Sequence, residues 1–356
     1  MGDNPSRSTD ANAGGAGVTG RHASPVGIGV SPSSYEEPPF GGGGALPKKS
    51  RFSMESGFRG LSVASGAMVL VIIVAIAAFL ISKAVPAISA DKVNFLSFKE
   101  WFPNETEPRF GIAALAFGTV LSSVIALIVA VPISLGIALF LSHYAPKRLA
   151  TPLGFVMDLL AAVPSVVFGL WGRDVFQAPV ADFSVWLNHY FGWIPIFGGE
   201  GPFGQSIMLG GLVLAIMVLP IVTSLSREVF QQTPGMNEEA ALALGATKWE
   251  MVRTAVLPYG KPGVIAAVML GLGRALGETI ALALTLGLVY NISFNLIQVG
   301  GNSIAANIAT TFAEANDTGR GALIASGLVL FAITLVVNMA ARAIIYRRRE
   351  FRDSAA

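Results

Sequence analysis

Six long apolar stretches are separated by polar connections: Leu61–Ile81, Ile112–Leu141, Leu153–Trp171, Ile207–Leu225, Val264–Tyr290 and Ala322–Ile345. Each approaches or exceeds the roughly 20 residues a helix needs to cross the hydrocarbon core. Each is apolar all round rather than along one stripe, as a helix embedded in lipid requires. The pattern predicts an all-α chain with six membrane-crossing helices. The second stretch is long enough to tilt or extend beyond the bilayer. Pro132, Pro164 and Pro220 predict kinks in their helices, and Pro164 interrupts the third stretch. A membrane bundle tolerates such breaks.

The regions outside this pattern are of three kinds. Residues 1–55 are rich in Gly, Ser, Pro and Asn and hold too little apolar surface to offset the entropy of ordering, which predicts a disordered tail. The tail lacks the apolar core of a secretion signal. Its Gly2 and Ser6 match a myristoylation pattern that chance in such a tail also produces. Residues 56–350 form the transmembrane domain, and 351–356 a short polar end. The connection 172–205, with Trp186, Trp193 and Gly198–Gly199, and the connection 291–320, with Asn302–Asn307, predict exposed outer loops. These fit either an external collar for a delivery protein or ordinary packing at the headgroup zone, which Trp favours.

Composition agrees with the pattern. Hydrophobic residues make up 53% and charged residues 13%, about half the charged fraction of a soluble chain. A net charge of +2 singles out no partner class, and no basic tract points to nucleic acid. With no cysteine there is no disulfide, thiolate site or cysteine nucleophile. His22, His143 and His189 are scattered without ligand spacing, so no metal site is expected. No phosphate-cradling Gly-x-x-x-x-Gly-Lys-Ser/Thr run, nucleophile elbow or zinc motif occurs. The outer-side sequon Asn104-Glu105-Thr106 is given no role. No catalytic residue is assigned.

Basic residues set the orientation. With the N-terminus inside, the inner side collects Lys48, Lys49, Arg51, Arg59, Lys147, Arg148, Arg227, Lys248, Arg253, Lys261, Arg342, the Arg347–Arg349 cluster and Arg352. The outer side keeps fewer, which places both termini in the cytoplasm.

One inner segment, 234–258, differs from every other connection. It is bounded by Pro234 and Pro258 and runs through Glu238, Glu239, Ala240, Ala241, Leu242, Ala243 and Leu244 to Gly245. These are good helix formers. Gly245 suits a left-handed helix end. Thr247 with Glu250 three residues on forms a capping-box pattern for a second helix. The segment therefore reads as helix, glycine hinge, helix, with a small-residue face at Ala240, Ala241 and Gly245 open to close approach.

The second distinctive segment lies inside the fifth stretch: Gly271-Leu272-Gly273-Arg274-Ala275-Leu276-Gly277-Glu278-Thr279. A continuous helix would place Arg274 near mid-bilayer, where a charge costs about 2.5–3.5 kcal/mol even on a lenient scale. Such a group normally faces a partner or an aqueous path. Glu278, four residues on, would share its face and neutralise it. Gly271, Gly273 and Gly277 would let neighbouring helices approach. Two readings follow: an anion relay, in which the Arg274 fork attracts an oxyanion and Glu278 prevents trapping, or a structural ion pair.

Glu239-Ala240-Ala241, Gly245 and Leu257-Pro258 at this spacing resemble the coupling motif of permease subunits of bacterial ATP-driven importers. Arg274-Ala275-Leu276-Gly277-Glu278-Thr279, with Ala161–Leu170 in the third stretch, resembles the phosphate-importer permeases, in particular the first of their two sister subunits. The resemblance covers roughly residues 60–346 and implies the type I permease fold of ABC importers. It implies that Glu239, Ala240, Ala241, Gly245 and Pro258 serve ATPase coupling, and that Arg274, Glu278 and Thr279 serve phosphate passage. It further implies a sister permease, two ATPase subunits that hold ATP and magnesium, and a periplasmic or lipid-anchored phosphate-binding protein. The permease itself would hold no cofactor and do no covalent chemistry in a bacterial inner membrane. The rival readings are a permease for sulfate or molybdate, a secondary transporter or channel built on an Arg274–Glu278 pair, and a membrane receptor or scaffold.

Overall fold

The structure is a computed structural model that describes residues 54–353, with side chains for 57–343. The tail 1–53, with Gly2, Ser6 and His22, and the last residues of the chain lie outside the described residues. The chain divides after Val63 into a unit Met1–Val63, of which only the first turns of α1 are described, and a unit Ala64–Ala356 that carries the bundle.

The elements in chain order are α1 (Met54–Ala90), a hairpin of β1 (Trp101–Phe102) and β2 (Arg109–Phe110), α2 (Ala113–Leu139), α3 (Lys147–Ala161), α4 (Ser165–Trp171), α5 (Gln177–Phe191), α6 (Ile207–Gln231), α7 (Gly235–Ala243), α8 (Lys248–Met251), α9 (Leu257–Leu276), α10 (Ile280–Thr285), α11 (Ile304–Thr311) and α12 (Asp317–Asp353). The two strands pair antiparallel, Trp101 opposite Phe110. Single π turns at Phe140–Tyr144, Gly172–Phe176 and Val252–Val256 join α2 to its end, α4 to α5 and α8 to α9.

Among the described residues five helical segments are long and apolar enough to cross a membrane: Gly57–Ala90, Ala113–Tyr144, Ile207–Gln231, Lys248–Leu276 and Asp317–Ala343. A sixth arises if α3 and the run Ser165–Phe191 count as one, but these meet at 90°. Pro164 explains the bend. It has no N–H to continue the ladder of α3, and at φ −59°, ψ 139° it is itself extended. The run beyond it corrects the expected loop at 172–205, because α5 occupies 177–191 with Phe183 stacked on Trp186 at 5.7 Å. The fifth predicted stretch also differs. The helix begins earlier and stops at Leu276 instead of continuing to Tyr290.

The core sits around α6, where 15 of 25 residues are buried. Its main neighbour is α2, whose Ser134 hydroxyl donates to the Leu219 carbonyl at 3.0 Å. Leu214, Met217, Val218 and Val222 of α6 pack with Ala126 and Ala130 of α2, and with Ala275 and Leu282. Gly271 of α9 meets α6 so closely that a Cβ there would stand 2.7 Å from Val218 Cγ1. Gly273 and Gly277 make no such approach.

The irregular connection 286–303 packs in part against the bundle: Leu286, Ile297 and residues 300–303 are buried, whereas Asn291, Ile292 and Phe294 are exposed. Backbone bridges join Phe203 to Gln298 and Ser206 to Val299. Met208 N–H donates to the Leu296 carbonyl at 2.9 Å. Residues Asn302–Asn307, expected on an external collar, are all buried. Ile304 N–H donates to the Thr119 hydroxyl of α2 at 2.9 Å, and the Ser303 hydroxyl caps α11. Returning backbone needs internal hydrogen-bond partners where water is excluded, and the polar side chains of this region supply them. Tyr290 donates to Asn307 Oδ1 at 2.7 Å, and burial holds its phenol above the ordinary tyrosine range.

Candidate functional site

Two regions carry the chemistry singled out in the sequence. In the first, α7 runs from Gly235 to Ala243 after the extended Pro234. Gly245 takes φ +84°, a conformation with a steric penalty for any residue bearing a Cβ. It redirects the chain into α8. Thr247 caps that helix, accepting the Glu250 N–H at 3.3 Å, while the Glu250 carboxylate accepts the Thr247 N–H at 2.7 Å. The segment is thus two short helices at a glycine corner.

Its surface is unusual for a polar connection. No residue of α7 is buried. Leu244 is 89% exposed and Met236 79%, and Leu242 and Trp249 are exposed as well. Glu239, Ala240 and Gly245 face outward, and Ala241 is half-buried against Phe230 and Met251. Glu238 turns the other way, toward His143. Pro258 does not end the segment. Lys248 to Leu276 is one continuous helical run, in which the π turn Val252–Val256 precedes Leu257-Pro258. The wider turn accommodates a proline that would break a regular α ladder.

In the second region, α9 ends at Leu276 and Gly277 caps it. This break corrects the expected ion pair. Arg274 belongs to the last turn of α9, whereas Glu278 lies beyond the break, 7% exposed, with Oε1 accepting the Ala281 N–H at 3.1 Å. Among the described residues Arg109 pairs with Glu105 and His143 contacts Glu238, and no ion pair joins Arg274 to Glu278. Glu278 therefore holds the first turn of α10, and Thr279 donates back to the Gly277 carbonyl at 3.2 Å.

Arg274 has a different environment. Its cation at the C-terminal end of α9 is favoured by the helix dipole. It is half-buried and lines a cleft of about 1120 Å³ between α1, α6, α9 and α12. The walls are apolar, with Leu70, Ile73, Ile221, Met269 and Leu335. The other polar side chains in the lining are Asn338 and Arg342 of α12. Sequence reasoning counted Arg342 only as an inner-side basic residue and passed over Asn338, although Thr334, Asn338 and Arg342 recur every four residues in an otherwise apolar stretch, a stripe on one helix face. It also missed the His143–Glu238 contact, because nothing local links positions 95 residues apart.

No group of three or more His, Cys, Asp or Glu side chains forms a metal cluster among the described residues. The profile of the family described as "Binding-protein-dependent transport system inner membrane component" matches residues 130–350. The chain is 46% identical to the phosphate transport system permease protein PstC 2 of Mycobacterium tuberculosis over 292 residues, 81% of this chain and 90% of that protein. It is 40% identical to phosphate transport system permease protein PstC of Xylella fastidiosa over 294 residues, 82% of this chain and 90% of that protein. Among solved structures, a bacterial ABC transporter involved in the import of the acidic polysaccharide alginate matches with a TM-score of 0.49 at 17% identity, over 82% of this chain and 99% of that one.

Proposed function

The chain belongs to the binding-protein-dependent transport system inner membrane components and, within them, to the phosphate transport system permeases, and we propose that it forms half of the path by which an ATP-driven importer carries inorganic phosphate across a bacterial inner membrane. It is a transport subunit and not an enzyme; ATP hydrolysis belongs to separate subunits. The other half of the path is a sister permease. Two ATPase subunits holding ATP and magnesium lie on the cytoplasmic side, together with both termini, a reading that the excess of basic residues on that side supports. A periplasmic or lipid-anchored binding protein delivers phosphate from outside.

The observation that carries this reading, beside family membership, is the two-helix corner at Gly245 with its exposed apolar side chains. Glu239, Ala240 and Gly245 form the face that docks on an ATPase, Ala241 backs that face by packing against the bundle, and Pro258 with the π turn before it joins it to α9. Arg274 is the attracting group of the path, since a guanidinium offers a fork of donors matched to phosphate oxygens. Asn338 and Arg342 border the same cleft. Glu278 acts through Ala281 by holding the break between α9 and α10, and Thr279 stands at that break. This replaces the relay in which Glu278 directly opposes Arg274.

The test is uptake of radiolabelled phosphate by the reconstituted complex, normalised to permease abundance. Arg274→Gln removes the attracting charge, and uptake is expected to fall by at least tenfold, while basal ATP hydrolysis persists. Arg274→Lys keeps the charge and loses the fork, giving partial activity. Glu278→Gln still offers Oε1 to the Ala281 N–H and retains most uptake, whereas Glu278→Leu does not. Undiminished uptake by Arg274→Gln would remove Arg274 from the path. Competition by sulfate or molybdate as strong as by phosphate would instead move the substrate to another oxyanion.

A further inference from the structure

The coupling segment is tied to the membrane bundle through a turn that the transport reading leaves unused. The π turn Phe140–Tyr144 ends α2 and is closed by Ala145 N–H donating to the Phe140 carbonyl at 2.7 Å. It presents two aromatic side chains to the segment. His143 Nε2 lies 3.3 Å from Glu238 Oε1 of α7, and its Nδ1 lies 2.7 Å from the Ser142 hydroxyl. Because a carboxylate only accepts, Nε2–H is the donor to Glu238. The ring of Tyr144, one residue on, lies 5.1 Å from Lys248 Nζ at the start of α8.

Burial separates these two contacts. The His143 side chain is 7% exposed and that of Glu238 26%, whereas Tyr144 and Lys248 are exposed. A hydrogen bond to a carboxylate in a nearly closed setting is both stronger and more directional than a surface cation–π contact. Beneath it, Ala241 of α7 packs on a small apolar cluster of Ala138, Phe230, Met251, Val252 and Val256. Apolar packing resists separation of α7 from the bundle but constrains its direction weakly. The His143–Glu238 bond supplies direction, and it does so at the end of α2, the helix packed along the buried α6.

We propose that His143 is a positioning residue of the transport cycle: through Glu238 it fastens α7 to the end of α2, so that displacement of the coupling segment is delivered to the α2–α6 core. The proposal rests on the reading of 235–258 as the ATPase contact. It separates the two neighbouring glutamates by role. Glu239 faces the partner, and Glu238 faces the bundle. It also gives the π turn a use, since the extra residue in that turn sets the direction in which His143 leaves the helix.

The experiment uses the complete complex of permeases, ATPases and binding protein in proteoliposomes, with inorganic phosphate as substrate. Three quantities are read: ATPase retained on purification, ATP hydrolysed, and phosphate delivered per ATP. His143→Leu should retain the ATPase and its basal hydrolysis while phosphate per ATP falls by about tenfold, the loss that goes with removing a hydrogen bond to a charged group. Glu238→Leu should match it, and the double variant should be no worse than either single. His143→Gln keeps an N–H donor within reach and should recover at least half of the ratio, which a residue needed only for packing would not do. A wild-type ratio in His143→Leu, or a double variant whose loss is the product of the single losses, overturns the proposal. Leu244→Asp separates this from the reading beneath it. If Leu244→Asp keeps the ATPase bound and stimulated, the docking assignment falls and takes the role of His143 with it. If Leu244→Asp releases the ATPase while His143→Leu couples normally, the His143 proposal alone falls.

Discussion

Helix α1 and the segment Gly235–Met251 both show large apolar side chains outside the bundle, and they do so for different physical reasons. From Ala64 to Lys83 no residue of α1 is buried, and burial begins at Ala84 and Ala87, which pack with Phe95 and Phe110. No charged residue interrupts α1 between Arg59 and Lys83. Such a surface is stable in lipid without a protein neighbour, save where Leu70 and Ile73 line the cleft at Arg274. The segment Gly235–Met251 exposes Met236, Leu242, Leu244 and Trp249 among Glu239, Lys248 and Glu250. Charges at that density exclude the hydrocarbon core, so the apolar groups between them are left facing water unless a protein covers them. Exposure alone is therefore uninformative in a membrane chain, and the charges interleaved with it decide its meaning.

The largest expected effect tests the lipid half of this contrast. Ile72→Asp places a carboxylate midway along the uncharged run of α1, at about 2.5–3.5 kcal/mol on insertion-based scales, and permease abundance in the membrane fraction should fall sharply. Leu244→Asp should leave abundance unchanged while the ATPase no longer co-purifies. Equal abundance for the two variants would abolish the distinction.

A smaller effect is expected at the corner. Gly245→Val forces a β-branched residue to φ +84°, a strain of about 1–2 kcal/mol. The segment should relax to another turn, so that stimulation of ATP hydrolysis by loaded binding protein falls while insertion is normal. Full stimulation would mean that the corner is not the docking element. The smallest expected effect is that of Thr247→Ala, which removes the cap on α8 at about 1 kcal/mol. Amide hydrogen exchange should quicken over Lys248–Met251 with α1 unchanged, and uptake should fall only partly.

The contrast also explains which parts of the fold were legible beforehand. The helix–glycine–helix corner could be read from Gly245, Thr247 and Glu250 because capping and positive φ act over three or four residues. The bend at Pro164 was legible for the same reason, although not its 90° size. Length and apolarity located most helices, but they misplaced the end of α9. Gly277-Glu278-Thr279 lies in an apolar context that continues to Tyr290, and hydropathy does not register that Glu278 takes up the Ala281 N–H instead of facing Arg274. The connection 291–320 was read as an outer loop because its Asn, Ser and Gly residues are turn formers, and the burial of Ile297 and of residues 300–307 was not legible there. Inside the bundle those same groups satisfy returning backbone.

By itself the sequence determined that this is a helical membrane protein, where its polar corner lies, and which residue types stand at the corner and at Arg274, because each of these depends on composition or on neighbours within a turn or two. The tertiary structure decided what those residues face. It divided Arg274 from Glu278, opened Arg274 onto a cleft shared with Asn338 and Arg342, and joined His143 to Glu238. These are contacts between distant positions, set by how helices stop, turn and pack, and no local pattern encodes them.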